Sequence, residues 1–519
     1  MFGSYMISGT NGRATLCHCE WTTLSLMPRI ISSLEFTLGV RLPEQSLTDW
    51  LYAELRSGIF EGRLRSGARL PASRDFARQH CLSRGTVVSV FERLQSEGYL
   101  CSRVGSGTWV NERVPTNRAA RRELLRPPAY VRRVISAYAR PAALTGLSAI
   151  GSGRPFEMRE PALPEFPAKL WGHLTARRAR TFSSWLRTGD GGRGYRPLRE
   201  AITDYLGSSR GVSCTPDQVI LTSGVQQALD LLARLLLKRD DPIWMEDPGY
   251  FGATIAFANA GAKMIPVPVD EHGLCVSAGV KMCAEARGVY LTPAHQFPLG
   301  MTMSLERRMA VLKWASRAGA FVIEDDYDSE YRFEGRPVPA LQSLDRSSSV
   351  IFIGSFNKLL FPSLRLGYVI LPQSLIDVFL AFRLRTDFRS LNVDQAVLCD
   401  FISGGHLGRH LRRMRDLYAS RLAALIDGGR EYLKGVLKIS NVRAGLYTAA
   451  FLENGMTSRQ AETAAAAHEI KVIGLDRFTL KRPDPKGLLL GFAAFDESSI
   501  REGLIQLAVG LSRPGSRRA

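Results

Sequence analysis

From Phe156 onward the chain alternates helical segments with short apolar runs, and few architectures accommodate that alternation. Runs of four to eight residues, bounded by turn residues and separated by helical stretches, read as strands of a largely parallel sheet. The expectation for this part is an α/β domain. One run, Ser349-Val350-Ile351-Phe352-Ile353, leads into GSFNKLLFPSLRLGY, so a buried strand opens into a polar loop with Ser355, Lys358 and Arg365. That set suits a carbonyl cofactor that also carries a phosphate: an amine for a Schiff base, with a hydroxyl and a forked guanidinium for the phosphate oxygens. Taken alone, the stretch reads equally well as a surface lysine after a strand.

Four other junctions carry polar groups. Val219-Ile220-Leu221-Thr222 runs into SGVQQALDLLARLLL, which puts the backbone N–H groups of Gly224, Val225 and Gln226 at a helix N-terminus, where a phosphate binds readily. WMEDPGYFG offers Tyr250 in a Pro-Gly turn, either to lie flat on a planar cofactor or as an ordinary turn tyrosine. GVYLTPAHQFPLG ends in a polar loop with His295 and Gln296. FVIEDDYDSEYRF closes an apolar strand with four acids in five residues, an arrangement that needs a positive partner such as a protonated pyridine nitrogen.

Ahead of this region, residues 1–45 lack periodicity and read as a poorly ordered extension. Leu47, Trp50, Leu51 and Leu55 then fall at helical spacing up to Gly58. Ser73 and Ser83 read as N-caps of two helices ten residues apart, a helix-turn-helix. Val87, Val90, Phe91 and Leu94 form the buried stripe of the second helix, leaving Arg84, Thr86 and Ser89 outward near its start. YLCSRVGSGTWV reads as a β-hairpin wing. The net charge is +19, but residues 46–112 carry nine basic against seven acidic side chains, whereas residues 113–145 carry eight against one. The excess lies in a basic linker, residues 113–150, and in the C-terminal part, residues 151–519. A polyanion is a reasonable partner. Cys17-His18-Cys19 has no second pair at zinc-ligand spacing, so no metal is expected. No run of roughly 18 apolar residues and no secretory pattern occur, so no membrane partner and a cytoplasmic location are expected.

RLPASRDFA, LSRGTVVSVFERLQSEGYL and RVGSGTWV resemble the winged-helix DNA-binding domain of the GntR family over residues 46–112. The resemblance implies contacts to double-stranded DNA from Arg74, Arg84, Thr86, Arg103 and Gly105. Cys81 stands where that family has Gly, which places a side chain near left-handed backbone.

YLTPAHQFPLG, EDDYDSEYRF and GSFNKLLFPSLRLGY, in that order, resemble fold-type I, class I aminotransferases, and the combined chain resembles the MocR group of GntR regulators. That resemblance implies pyridoxal 5′-phosphate as cofactor, a smaller C-terminal α+β subdomain, and a homodimer. It makes Lys358 the Schiff-base lysine and Asp325 the partner of the pyridinium nitrogen. Tyr327 bonds the phenolic oxygen, Tyr250 stacks on the ring, Ser355 and Arg365 bind phosphate, and Arg477 in GLDRFTL holds a ligand carboxylate. Three departures weigh against full transaminase competence. Asn357 replaces the hydroxyl residue common before the lysine, Thr188 and Gly191 stand in a turn where many relatives have Tyr and Pro, and Gly252 offers a ligand no side chain. The reading favoured is a regulator that senses pyridoxal phosphate or an amino compound by exchange at Lys358. The alternatives are an active aminotransferase with an accessory DNA-binding domain and a DNA-binding protein with a dead pocket.

Overall fold

The computed structural model describes residues 38–39, 41, 44–103, 107–111, 153–158, 160–180, 192–335, 338–386, 392–481 and 483–512. The linker 113–150, Gly105, Thr188, Gly191, and nearly all of residues 1–45 lie outside them. The chain divides into two compact units, residues 1–134 and 135–519.

The first unit contains α1 (Leu47–Phe60), β1 (Arg69–Leu70), α2 (Ser73–Gln79), α3 (Arg84–Ser96), β2 (Leu100–Arg103) and β3 (Gly107–Val110). The strands form one sheet in the order β1–β3–β2. Helix α1 starts where Ser46 accepts the Asp49 N–H at 3.1 Å. It continues past Gly58, which is buried within it, because Ile59 extends the apolar face. Ser83 caps α3 as expected, accepting the Thr86 N–H at 3.1 Å, whereas Ser73 is not a cap: Ala72 holds that position without a side-chain bond. Cys81 has φ 52°, the left-handed geometry anticipated for the turn. Leu51, Leu55, Phe76, Val87, Val90 and Leu94 close the core between the helices.

The second unit is built in chain order from α4 (Ala168–Ala179), α5 (Arg196–Arg210), β4 (Val219–Thr222), α6 (Val225–Leu236), β5 (Pro242–Asp247), α7 (Phe251–Asn259), β6 (Lys263–Asp270), β7 (Gly273–Leu274), α8 (Val276–Cys283), β8 (Gly288–Leu291), α9 (Leu305–Ala318), β9 (Phe321–Asp326), β10 (Val350–Ser355), β11 (Gly367–Ile370), α10 (Ile376–Thr386), α11 (Asn392–Ser403) and α12 (His406–Tyr432). It continues through β12 (Leu437–Ile439), β13 (Tyr447–Leu452), α13 (Ser458–Ala466), β14 (Ile473–Gly474), β15 (Gly487–Gly491) and α14 (Glu497–Leu511). The large sheet runs β4–β11–β10–β9–β8–β5–β6–β7. Strands β10, β9, β8, β5 and β6 pair in parallel, while β11 runs antiparallel between β4 and β10. A smaller antiparallel sheet follows in the order β12–β13–β15–β14. The apolar runs were continuous because both faces of the large sheet are covered. Ile351 and Ile353 face a core that also takes in α6, α7 and α10, while Val350 joins the opposite core with Trp244 and Trp314, whose rings stack at 3.7 Å.

The four clustered acids each find a different partner. Glu324 accepts the Leu341 and Gln342 N–H groups at 2.7 and 2.8 Å, Asp325 accepts the Tyr290 hydroxyl at 2.7 Å, Asp326 binds Arg210 at 2.8 Å, and Asp328 binds His295 at 3.0 Å. Arg210 and Asp326 are both buried. Arg210→Ala would leave Asp326 charged and unpaired, and the expected loss is about 3–5 kcal/mol of unfolding free energy, measurable by denaturant titration.

Candidate active site

Parallel strands release their chains on the same side of a sheet, and in open α/β sheets that edge carries the site. Here the segments after β4, β5, β8, β9 and β10 enclose a cavity of about 440 Å³. It brings together Lys358, Asp325, Tyr327, Tyr250, Ser355 and Arg365, all expected there, along with Gly224, Val225 and Gln226. Arg477 is not in the wall; its neighbour Phe478 is.

One end of the cavity is built for an anion. Helix α6 begins at Val225 after Gly224 (φ 113°), and no side chain caps it, so its first amides and the positive end of its dipole remain available to a ligand. A Cβ on Gly367 of β11 would meet the Gly224 Cα at 3.0 Å, so this corner closes only with glycine there. Arg365 takes left-handed backbone (φ 46°) as the chain turns back into β11. Asn357 accepts the Leu366 N–H at 2.9 Å and so ties the lysine loop to that turn.

The other end is buried and acidic. Asp325 Oδ2 accepts the Tyr290 hydroxyl at 2.7 Å, while Oδ1 has no hydrogen-bond partner. Burial pushes the Asp325 carboxyl up to about 7, against the opposing pull of the Tyr290 bond and Lys358. Lys358 Nζ lies 4.1 Å from the ring centre of Tyr327 and 5.5 Å from that of Tyr447. The Tyr327 hydroxyl donates to the His295 carbonyl at 2.8 Å and hydrogen-bonds with the Tyr447 hydroxyl. Burial holds both tyrosines well above the usual phenol range. Phe297 packs edge-on against Tyr250 at 5.6 Å and sets that ring against the cavity. Tyr290, Tyr447 and Phe297 were not singled out from the sequence. Tyr290 sits in an ordinary apolar strand, and Tyr447 reaches Tyr327 from β13 across 120 residues, with no local signal.

In the first unit Arg74 and Arg84 are exposed, Arg84 as the first residue of α3. Thr86 is half-buried, and its hydroxyl is 2.8 Å from Ser83 Oγ, within the cap. Arg103 ends β2 next to the wing. Arg69, which sequence reasoning passed over, also lies at the wing: its guanidinium sits 5.8 Å from the Trp109 ring, and a Cβ at Gly107 would meet it at 2.9 Å.

Residues 47–110 match the family described as bacterial regulatory proteins of the gntR family, and residues 170–502 match aminotransferase class I and II. The chain is 39% identical over 459 residues to the probable rhizopine catabolism regulatory protein MocR of Rhizobium meliloti, covering 88% of this chain and 92% of that one. It is 29% identical over 485 residues to the pyridoxine biosynthesis transcriptional regulator PdxR of Corynebacterium glutamicum, covering 93% and 100%. Among solved structures it resembles Pyrococcus horikoshii kynurenine aminotransferase in complex with PMP, at TM-score 0.65 and 26% identity over 76% of this chain and 98% of that one. It also resembles Thermus thermophilus LysN complexed with N-(5′-phosphopyridoxyl)-L-leucine, at TM-score 0.66 and 25% identity over 72% and 96%. The cofactor of such a domain is pyridoxal 5′-phosphate, and the residues present fit it: the unpartnered Asp325 Oδ1 suits a protonated ring nitrogen, and the uncapped start of α6 suits the phosphate. The chain belongs to the MocR-type regulators of the GntR family, in which a GntR helix-turn-helix domain is joined to a fold-type I, aminotransferase-like domain.

Proposed function

We propose that this transcriptional regulator binds operator DNA through residues 46–112 and senses pyridoxal phosphate, or an amino compound that reacts with it, through residues 151–519. The observation that carries the reading is the placement of Lys358 over Tyr327 in one cavity with buried Asp325 and the open end of α6. When bound, the coenzyme would supply an aldehyde carbon that links reversibly to a primary amine, and Lys358 is the residue that would hold it and yield to an incoming amine. Asp325 would pair with the proton on the ring nitrogen, and the Tyr327 hydroxyl, which here donates to the His295 carbonyl, would turn that one proton to the phenolic oxygen while accepting from the Tyr447 hydroxyl. Tyr250 would lie against the ring, and Ser355, Arg365 and the amides of Gly224, Val225 and Gln226 would hold the phosphate. Exchange at Lys358 shifts the equilibrium between forms of the second unit that differ in how they present the DNA-binding unit.

The protein acts in the cytoplasm as a homodimer, so that two DNA-binding units read paired half-sites. The test is a binding assay on the promoter of the divergent neighbouring gene, with and without pyridoxal phosphate and candidate amines. Operator affinity that ignores all of them would remove the sensing role. The intact lysine, aspartate and tyrosine also admit an aminotransferase, and multiple turnovers with an amino acid and a keto acid would favour it. Arg74, Arg84, Thr86, Arg103 and Gly105 are assigned to DNA. Arg84→Ala is expected to weaken specific binding by about 1–3 kcal/mol, read by titration against operator and scrambled sequence. A uniform loss on both sequences would instead mark Arg84 as a phosphate contact.

A further inference from the structure

Among the described residues, two cations line the cavity, Lys358 and Arg365. In the reading above the first carries the coenzyme and the second its phosphate. A ligand carboxylate would therefore need a further positive group, because burying it unpaired beside Asp325 is costly. Arg477 is engaged elsewhere. Its Nε donates to Glu462 Oε2 at 2.9 Å and its Nη2 to Oε1 at 2.8 Å, a fork-to-carboxylate pairing, and Oε2 also accepts the Gly474 N–H at 3.2 Å. The chain turns so that Phe478, not Arg477, faces the cavity. Position 252 supplies no charge either, being a glycine packed against the ends of Tyr250 and Gln226. The cavity wall also contributes Phe251, Ile255, Phe297 and Phe478, and the neutral Gln226 amide donates to the Gly252 carbonyl at 2.9 Å.

We propose that the cavity selects a primary amine that carries no carboxylate. This rests on the reading that pyridoxal phosphate is held on Lys358. The ligand nitrogen takes the place of Lys358 Nζ, one C=N bond forms as the other breaks, Lys358 leaves as the free amine, and nothing is oxidised or reduced.

The test titrates the coenzyme-loaded full-length protein with pairs that differ only by a carboxylate, phenethylamine against phenylalanine and ethanolamine against serine, following the coenzyme's absorption. The amine of at least one pair should act at concentrations about tenfold lower than its amino acid. Amino acids that act as well as their amines, or a coloured protein that answers to no member of either pair, would overturn the proposal. Failure of the underlying reading is distinct: the protein would lack coenzyme absorption before any ligand is added. Glu462→Gln, which weakens the hold on Arg477, should narrow the preference by about threefold. An unchanged ratio would overturn the part given to the Arg477–Glu462 pair.

Discussion

Lys358→Ala is expected to give a colourless protein after incubation with pyridoxal phosphate, where the wild type is yellow. The lysine lies just past the end of β10, and packing against the Tyr327 and Tyr447 rings keeps its amine in the cavity rather than in solvent. Among the described lining residues it is the only amine, so no neighbour can replace it in a covalent bond to the coenzyme. The phosphate end remains intact in the variant, because the α6 amides and Arg365 are untouched, and weak non-covalent binding should persist. Absorption spectra before and after borohydride treatment and gel filtration separate the two modes. Lys358→Arg keeps the cation and should be as colourless as the alanine variant. A visible band that survives gel filtration in either variant would place the attachment elsewhere and sink the assignment.

The second large effect concerns pH. Burial raises the carboxyls of Asp325, Glu324 and Glu330 to about 7 and that of Glu246 to about 8. Unfolded, these groups titrate near about 4. Between those values the folded chain binds more protons than the unfolded chain, so the coenzyme-free protein should lose stability as pH rises from about 4 to 8. Asp325 alone contributes on the order of 4 kcal/mol to that decline, and Asp325→Asn should flatten the fall of Tm with pH. Loading with pyridoxal phosphate should flatten it in the wild type as well, since a protonated ring nitrogen beside Oδ1 neutralises the carboxylate, and should add little in Asp325→Asn. Equal slopes for free and loaded wild type would show that Asp325 does not meet the ring.

Much of this was legible in the sequence because it is local. Caps, the continuous apolar runs of a sheet covered on both faces, and polar residues just past strand ends are set by neighbours a few positions apart. Lys358, Asp325, Tyr327 and Tyr250 each advertised themselves in such a junction. What escaped notice depends on distant segments meeting. Tyr447 arrives from the smaller sheet, Tyr290 shows its hydroxyl only once β8 is placed beside β9, and Arg69 gains meaning from Gly107 across a strand pair. The Arg477 assignment shows the same limit from the other side. A short match placed it at the ligand, but Glu462, fifteen residues earlier on α13, holds its guanidinium. The end of α1 was misjudged for a simpler reason: glycine is unfavourable in a helix, yet the packed apolar face of α1 carries the chain through Gly58.

The crowding at Gly252 bears on how this binding preference can change over time. Any side chain there would meet the ends of Tyr250 and Gln226, so a basic residue gained by one substitution would have to move both as it entered. A cation gained at 252 would therefore enter the cavity by turning aside the end of Tyr250 and the Gln226 amide, so the charge a ligand gains there trades against the placement of the ring that lies beside it.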